Sequence, residues 1–208
     1  MPPPFDAVLF DLLTGLLDSW SHWDRIAKDP AAGRRWRLRY LELSYGAGRY
    51  RPFESLVGKA AEDVGLTQAS AQEMIAQWDQ LEAWPEVPQI LPRLSGLRLG
   101  AVTNCSEALA RRAAQRVGFG FSVVVSAERA GAYKPEPEPY GLALGELGLS
   151  PDRVLYVAGS PYDVIGASSV GMTVLWHNRA GLISEAGALA REVTESLHAL
   201  GSLALGGE

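Results

Sequence analysis

The sequence predicts an α/β protein in which a parallel sheet is interrupted by an inserted, all-helical segment. After residue 95, short apolar runs alternate with helix-patterned segments, as expected for repeated β-α-β units. The apolar runs lack polar alternation, which is typical of strands that are covered on both faces. Residues 17–85, in contrast, carry helical patterns and no convincing strand.

The composition is that of a globular protein and excludes several functional classes. The 208 residues are 47% apolar with a net charge of −5, and Cys105 is the only cysteine. Because nucleic-acid binding needs clustered Lys and Arg, we expect no nucleic-acid partner. No run approaches the ~18 apolar residues of a membrane helix, and the first residues do not resemble a secretory signal. We therefore expect a cytoplasmic protein without a membrane partner.

The first predicted element is a buried strand over residues 7–13, with the sequence AVLFDLL. About four helices follow in residues 17–85, so the chain leaves the sheet directly after its first strand. This pattern predicts a core made of residues 1–16 and 86–208 and a helical cap domain made of residues 17–85. We call residues 17–85 the helical insert.

The remaining strands and helices alternate along the second half of the chain. Strands are predicted at residues 97–104, 121–128, 153–160 and 173–178, with helices between them at 106–118, 137–148 and 162–171. Right-handed crossovers then give a Rossmann-like parallel sheet with helices on both faces. The tail from residue 183 is predicted to be helical as far as about Leu200 and to end loosely.

Polar side chains follow four of the predicted strands at or near their carboxyl ends. In chain order they are Asp11, Thr103 with Asn104, Lys134, and Ser160 with Asp163. In an open parallel sheet these ends share one edge, and ligands bind there. The convergence of an acid, a hydroxyl–amide pair, a cation and a second acid therefore predicts a functional site.

Each of these residues also has a structural explanation. Asn104 and Ser106 are candidate helix caps, and the run from Ser160 to Asp163 has the pattern of a capping box. Taken one at a time, capping is the simpler interpretation, and an isolated Lys134 is most simply a solvated lysine. Asp11 differs, because an ionised carboxylate in an apolar run needs a partner.

The order of these residues resembles the four motifs of the haloacid dehalogenase superfamily, and the helical insert resembles its small cap domain. The resemblance spans residues 5 to about 185 and is closest to the 2-haloacid dehalogenase branch. The matching segments are Trp36-Arg37 with Leu41-Glu42, Lys134-Pro135 with Tyr140, and Asn178-Arg179 with Gly181.

The resemblance implies covalent catalysis by Asp11. Asp11 would attack an electrophile and water would hydrolyse the resulting ester, while Lys134 would hold Asp11 ionised and Asp163 would position or activate the water. Arg37 would contact the leaving anion, and Thr103 with Asn104 would orient the substrate carboxylate. The implied substrate-binding residues are Thr14, Arg37, Thr103, Asn104, Tyr140 and Ser160.

Two positions depart from the phosphatases of this superfamily. Leu13 stands where they carry a general acid, and Gly159 stands where they carry an acidic Mg²⁺ ligand. Displacing a halide from carbon needs neither group, so no metal or other cofactor is expected, although depleted Mg²⁺ ligands remain. The chain also departs from the dehalogenase branch, with Thr14-Gly15 in place of Gly-Thr.

Five aromatic residues fall in or near the first helices of the insert: Trp20, Trp23, Trp36, Tyr40 and Tyr45. At helical spacing such a stripe is more often core, and the alternative is an apolar pocket over Asp11. Arg37 lies among Arg34, Arg35 and Arg39, and such clusters are usually solvated.

The sequence thus predicts a metal-independent hydrolase of the 2-haloacid dehalogenase type that acts on a small 2-substituted carboxylic acid. One alternative is a Mg²⁺-dependent small-molecule phosphatase of the same superfamily, and another is a catalytically inactive relative that binds a metabolite or partner. The resemblance also allows a homodimer.

Overall fold

A six-stranded, all-parallel sheet forms the centre of the protein in the computed structural model, which describes residues 4–206. The strand order is β3-β2-β1-β4-β5-β6, which confirms the predicted α/β fold. The strands are β1 (Ala7–Asp11), β2 (Arg98–Thr103), β3 (Val123–Ser126), β4 (Val154–Ala158), β5 (Thr173–His177) and β6 (Glu192–Thr194).

Four longer helices lie between β1 and β2, in agreement with the expected number. They are α1 (Ser19–Ala27), α2 (Pro30–Tyr45), α3 (Phe53–Asp63) and α4 (Gln68–Ala76). The chain enters and leaves this segment side by side, because Leu17 and Ala83 form an antiparallel bridge. That the insert is a separate domain over residues 17–85 stays a prediction.

Helices cover both faces of the sheet, which explains the unbroken apolar strands. Val8 and Phe10 of β1 belong to one buried cluster, and Ala7 and Leu9 belong to another. The remaining helices are α5 (Val87–Ile90), α6 (Glu107–Arg116), α7 (Ala127–Ala130), α8 (Pro137–Leu147), α9 (Pro161–Ser169) and α10 (Leu200–Leu205). None of the helices within residues 4–206 is both long enough and apolar enough to cross a membrane.

The first strand ends at Asp11, two residues earlier than predicted. The Asp11 carboxylate accepts hydrogen bonds from the backbone N–H groups of Thr14 and Gly15, so the chain bends into a π-helical turn over Leu12–Leu16. The turn is fully buried, which is why its apolar sequence looks like more strand. We call Leu12–Leu16 the Asp11 turn.

The tail also differs from its prediction. A 3₁₀ turn over Glu185–Leu189 is followed by β6, which pairs with β5, and helix α10 begins at Leu200. The prediction of a helix from residue 183 to about Leu200 was therefore wrong, because Glu192–Thr194 forms an edge strand of the sheet instead. The described part of the Gly-rich end is helical, with Leu200 and Ala204 buried, and residues 207 and 208 lie outside the described range.

Candidate active site

Asp11, Lys134 and Asp163 meet at the carboxyl edge of the sheet, as their positions after the strands predict. Nζ of Lys134 lies 2.8 Å from Oδ1 of Asp11 and 2.7 Å from Oδ1 of Asp163, and it donates to the Val102 carbonyl at 3.0 Å. All three side chains are buried, so Lys134 is not a solvated lysine. One ammonium group thus bridges two carboxylates.

The shared cation separates the protonation behaviour of the two acids. Burial alone would raise the pKa of Asp11, but attraction to Lys134 and the hydrogen bonds from Lys134 and Thr14 outweigh burial, so the pKa is lowered. Burial and the negative charge of Asp11 raise the pKa of Asp163 despite Lys134. Burial opposes the charge of Lys134, yet the two carboxylates raise its pKa well above the usual value. Asp11 is therefore the group held ionised.

The second oxygen of Asp11 is held by the Asp11 turn. Oδ2 accepts the backbone N–H of Thr14 at 2.9 Å, that of Gly15 at 3.3 Å, and the hydroxyl of Thr14. Thr14 was predicted to contact substrate, but its hydroxyl is directed at the carboxylate.

Asn104 fixes the segment that carries Lys134. Its Nδ2 donates to the Lys134 carbonyl at 3.1 Å, and its Oδ1 accepts the Lys134 N–H at 2.8 Å. The neighbouring Thr103 is fully buried, with Oγ1 lying 3.7 Å from Sγ of Cys105. Their predicted contact with a substrate carboxylate stays a prediction, although the Asn104 amide is already engaged. Ser106 does not cap α6 with its side chain; its hydroxyl donates to Glu54.

Tyr156 belongs to the site and was missed by sequence reasoning. Nζ of Lys134 donates to its hydroxyl at 3.2 Å. Tyr156 pairs with Leu9 in the sheet. Leu9 and Asp11 are two residues apart on β1, so Tyr156 and Asp11 face the same side of the sheet. This alternation was the sequence signal that could have identified Tyr156. Tyr140, which was predicted, packs edge-on against Tyr156 with ring centroids 5.3 Å apart.

Ser160 both caps a helix and joins the site. Its hydroxyl accepts the Asp163 N–H at 3.2 Å, as a capping residue of α9, and donates to Oδ2 of Asp163 at 2.9 Å. The Tyr45 hydroxyl, at the end of α2, lies 2.7 Å from the Ser160 hydroxyl oxygen. The capping interpretation and the functional one are therefore compatible, and Tyr45 links the helical insert to the core.

Arg37 is buried, unlike its neighbours Arg34 and Arg35. Its guanidinium carbon lies 5.2–5.6 Å from the ring centroids of Trp20, Trp23 and Tyr40. Within residues 4–206, neither Nε nor Nη1 of Arg37 has a hydrogen-bond partner. Burial lowers the pKa of Arg37 while Asp11 acts in the opposite direction, and the group stays charged because its ordinary pKa is so high. A buried cation with free donors is suited to an anion.

Three residues of the aromatic stripe belong to the core, as their helical spacing predicts. Trp23, Trp36 and Tyr40 are fully buried core residues. Tyr40 and Trp23 nevertheless also face Arg37, and Tyr45 reaches Ser160. The core interpretation therefore holds for these three residues, and an apolar pocket over Asp11 stays a prediction.

A Mg²⁺ site of the phosphatase type does not fit these residues. A Cβ atom at Gly159 would lie 2.5 Å from Oδ2 of Asp11 and closer still to Oγ1 of Thr14, so no carboxylate can be placed there. The Lys134 ammonium already bridges Asp11 and Asp163. Among residues 4–206, no group of three or more His, Cys, Asp or Glu side chains is arranged to hold a metal ion.

Sequence comparison shows the class of hydrolase to which the chain belongs. Residues 5–171 match the model of the haloacid dehalogenase-like hydrolases, and the chain belongs to this family. Haloacetate dehalogenase H-2 of Moraxella sp. (strain B) is 30% identical over 194 residues, covering 85% of this chain and 87% of its own length. (S)-2-haloacid dehalogenase H-109 of Pseudomonas putida is 29% identical, covering 92% and 95%.

A solved structure supports the fold independently. The L-2-haloacid dehalogenase from Xanthobacter autotrophicus, with chloropropionic acid covalently bound, superposes with a TM-score of 0.82. The match covers 96% of this chain and 98% of that one at 24% sequence identity. It shows that the same arrangement of sheet and helices is shared over nearly the whole length.

Proposed function

We propose that this hydrolase is a 2-haloacid dehalogenase that hydrolyses a small 2-halocarboxylic acid to the 2-hydroxy acid without a metal. The observation that carries the proposal is the buried Asp11, whose Oδ1 is held at 2.8 Å by Lys134. Such a carboxylate is ionised and fixed in place, as a nucleophile must be. The names of the relatives supply the substrate class.

In the first step, a lone pair of Asp11 attacks C2 of the substrate, and the carbon–halogen bond breaks with its electron pair on the halide. An ester then links Asp11 to C2. The halide leaves as a stable anion and needs no proton, which agrees with the apolar Leu13 near the nucleophile. The free donors of Arg37 receive the departing charge.

In the second step, water attacks Cγ of the Asp11 ester and gives up one proton to Asp163. The raised pKa of Asp163, which follows from its burial and the nearby Asp11, suits a carboxylate that must accept a proton. The Cγ–O bond to the substrate then breaks, and the proton passes to the departing alkoxide. The products are the 2-hydroxy acid and the Asp11 carboxyl, which loses its proton to regenerate the site.

The test is halide release from 2-chloropropionate in the presence of EDTA. We expect turnover by the wild-type protein and its loss in Asp11→Asn, because an amide is a far poorer nucleophile. Single turnover in ¹⁸O-labelled water should place the label in the peptide that contains Asp11. Activity of Asp11→Asn within about tenfold of wild type, equivalent to only ~1.4 kcal/mol of barrier, would remove Asp11 from this role.

Two other results would redirect the assignment. Phosphate release that depends on Mg²⁺ would favour the phosphatase alternative, and substrate binding without turnover would favour an inactive relative. A homodimer and a cytoplasmic location remain predictions; sedimentation analysis tests the first.

A further inference from the structure

The two carboxylate oxygens of Asp11 lie in different surroundings. Oδ1 accepts from Lys134 at 2.8 Å. Oδ2 is surrounded by three donors of the Asp11 turn, namely two backbone N–H groups and the Thr14 hydroxyl. An attack by Oδ2 would use a lone pair on an oxygen already surrounded by these donors. Oδ1 is therefore the oxygen that becomes the ester oxygen, and Oδ2 becomes its carbonyl.

Gly159 leaves the space that the Thr14 hydroxyl occupies. A Cβ atom at residue 159 would lie 2.7 Å from Cβ of Thr14 and nearer still to its hydroxyl. Real Cβ atoms do not make such contacts, so a side chain at 159 and the hydroxyl of Thr14 cannot coexist in these positions. The glycine thus permits the third donor to Oδ2.

Two buried side chains hold the Asp11 turn from its other side. Nε1 of Trp84 donates to the Thr14 carbonyl at 3.0 Å, and Nδ1 of His177 lies 3.0 Å from the Gly15 carbonyl. Because a carbonyl only accepts, Nδ1 of His177 carries the proton. The Thr14 carbonyl and the Gly15 N–H belong to one peptide group, so the bond from Trp84 polarises the N–H that points at Oδ2.

We propose that the Asp11 turn is the oxyanion hole for hydrolysis of the Asp11 ester, with Thr14 as its side-chain donor and Trp84 and His177 as positioning residues. The proposal rests on the proposed function, since it requires the ester. When water bonds to Cγ, the carbonyl π pair moves onto Oδ2, and the three donors stabilise that charge. The pair returns to re-form the carbonyl as the Cγ–Oδ1 bond breaks. Donors placed where charge develops are a large source of catalysis.

The experiment separates the two chemical steps by rapid-quench measurement of halide release, with intact-protein mass spectrometry of the ester. In Thr14→Val, we expect a burst of about one halide per site, then a steady-state rate lower by about 10²-fold, as for loss of one oxyanion donor. The ester should accumulate. Thr14→Ser and Thr14→Ala form a matched pair that differs only in the hydroxyl, and only the alanine variant should accumulate ester.

A distant variant tests the same step without touching the reacting atoms. Trp84→Phe removes the N–H bonded to the Thr14 carbonyl, and we expect a weaker defect of the same kind, with ester accumulating. A residue that only stabilised the fold would not change the ratio of the two steps.

Three outcomes are decisive. Ester accumulation in Thr14→Val and Thr14→Ala supports the proposal. Equal slowing of both steps in these variants, with no ester, overturns it while the proposed function stands. A wild-type protein that releases no halide from 2-chloropropionate overturns the proposed function, and the oxyanion hole with it.

Discussion

Among the single residues of the site, Lys134 has the largest effect on the charge of the nucleophile Asp11. Its ammonium lies within 2.8 Å of both Asp11 and Asp163, so its positive charge acts on both carboxyl groups. Any change at Lys134 therefore acts on the nucleophile through its pKa, as well as on packing.

We predict that Lys134→Ala loses most activity at low pH and recovers part of it as the pH rises. Burial already acts to raise the pKa of Asp11, and Lys134 is the main group that opposes burial. Without the cation the pKa of Asp11 rises, so the protonated, non-nucleophilic form is populated at higher pH than in the wild type. The measurement is kcat/KM against pH for the two proteins.

Lys134→Arg serves as the control for charge alone. We expect little recovery, because a planar guanidinium cannot replace a compact ammonium between two carboxylates. A pH–rate profile for Lys134→Ala with the shape and height of the wild type would show that Lys134 does not act on Asp11.

The packing of the Asp11 turn against Gly159, which directly precedes the N-cap of α9, shows why a phosphatase-type Mg²⁺ site cannot be introduced by substitution. From sequence alone, Leu13 and Gly159 look like two missing acids whose return would raise the affinity for Mg²⁺. The structure contradicts this expectation, because Gly159 lies against Oδ2 of Asp11 and the Thr14 hydroxyl. Leu13 is buried in the apolar cluster beneath the insert.

We predict that Leu13→Asp with Gly159→Asp gains no Mg²⁺ affinity and loses dehalogenase activity. The side chain at 159 displaces Asp11 or Thr14, and a carboxylate at 13 is buried among apolar groups, which is unfavourable. Titration calorimetry with Mg²⁺ and a halide-release assay measure both effects, with Leu13→Asp alone as the comparison. Micromolar Mg²⁺ binding by the double variant would contradict the steric argument.

Elements were predictable from sequence where their pattern is local. The apolar runs of β2, β4 and β5 and the helices between them lie within a few residues of their expected positions. The end of β1 was not predictable from local sequence. The chain turns there because the Asp11 carboxylate binds the N–H groups of Thr14 and Gly15, and no Gly or Pro directly follows Asp11 to mark the end of the strand. The strand Glu192–Thr194 was missed because its pairing with β5 depends on a distant segment.

At the scale of the whole molecule, the helical insert completes the site. Helix α2 brings Arg37 and Tyr45 over an edge to which strand β1 supplies Asp11. A loop supplies Lys134, and the first turn of α9 supplies Asp163. Motif spacing could predict Arg37 because a family resemblance singled it out. Trp84 and His177 have no such motif, and only their three-dimensional positions relate them to Asp11. For Tyr156, the alternation of side chains along β4 was the one available signal.

The buried position of Arg37 leads to a prediction about leaving groups. We expect the free guanidinium donors to stabilise the departing halide. This stabilisation of the transition state should be larger for a poorer leaving group, because more of its charge needs stabilising there. Arg37→Lys should therefore slow 2-chloropropionate more than 2-bromopropionate, because an ammonium cannot reproduce the planar donors held between Trp20, Trp23 and Tyr40.

The measurement is the ratio of kcat for the two substrates, compared between wild type and Arg37→Lys. Arg39→Lys is the matched control, because Arg39 lies on the same helix but forms surface ion pairs with Glu42 and Asp63. An Arg37 that instead held the substrate carboxylate would raise KM for both substrates and leave the ratio of kcat unchanged. The two substrates share the carboxylate and differ only in the halogen. That result would therefore assign Arg37 to binding of the carboxylate, and another group would have to receive the halide.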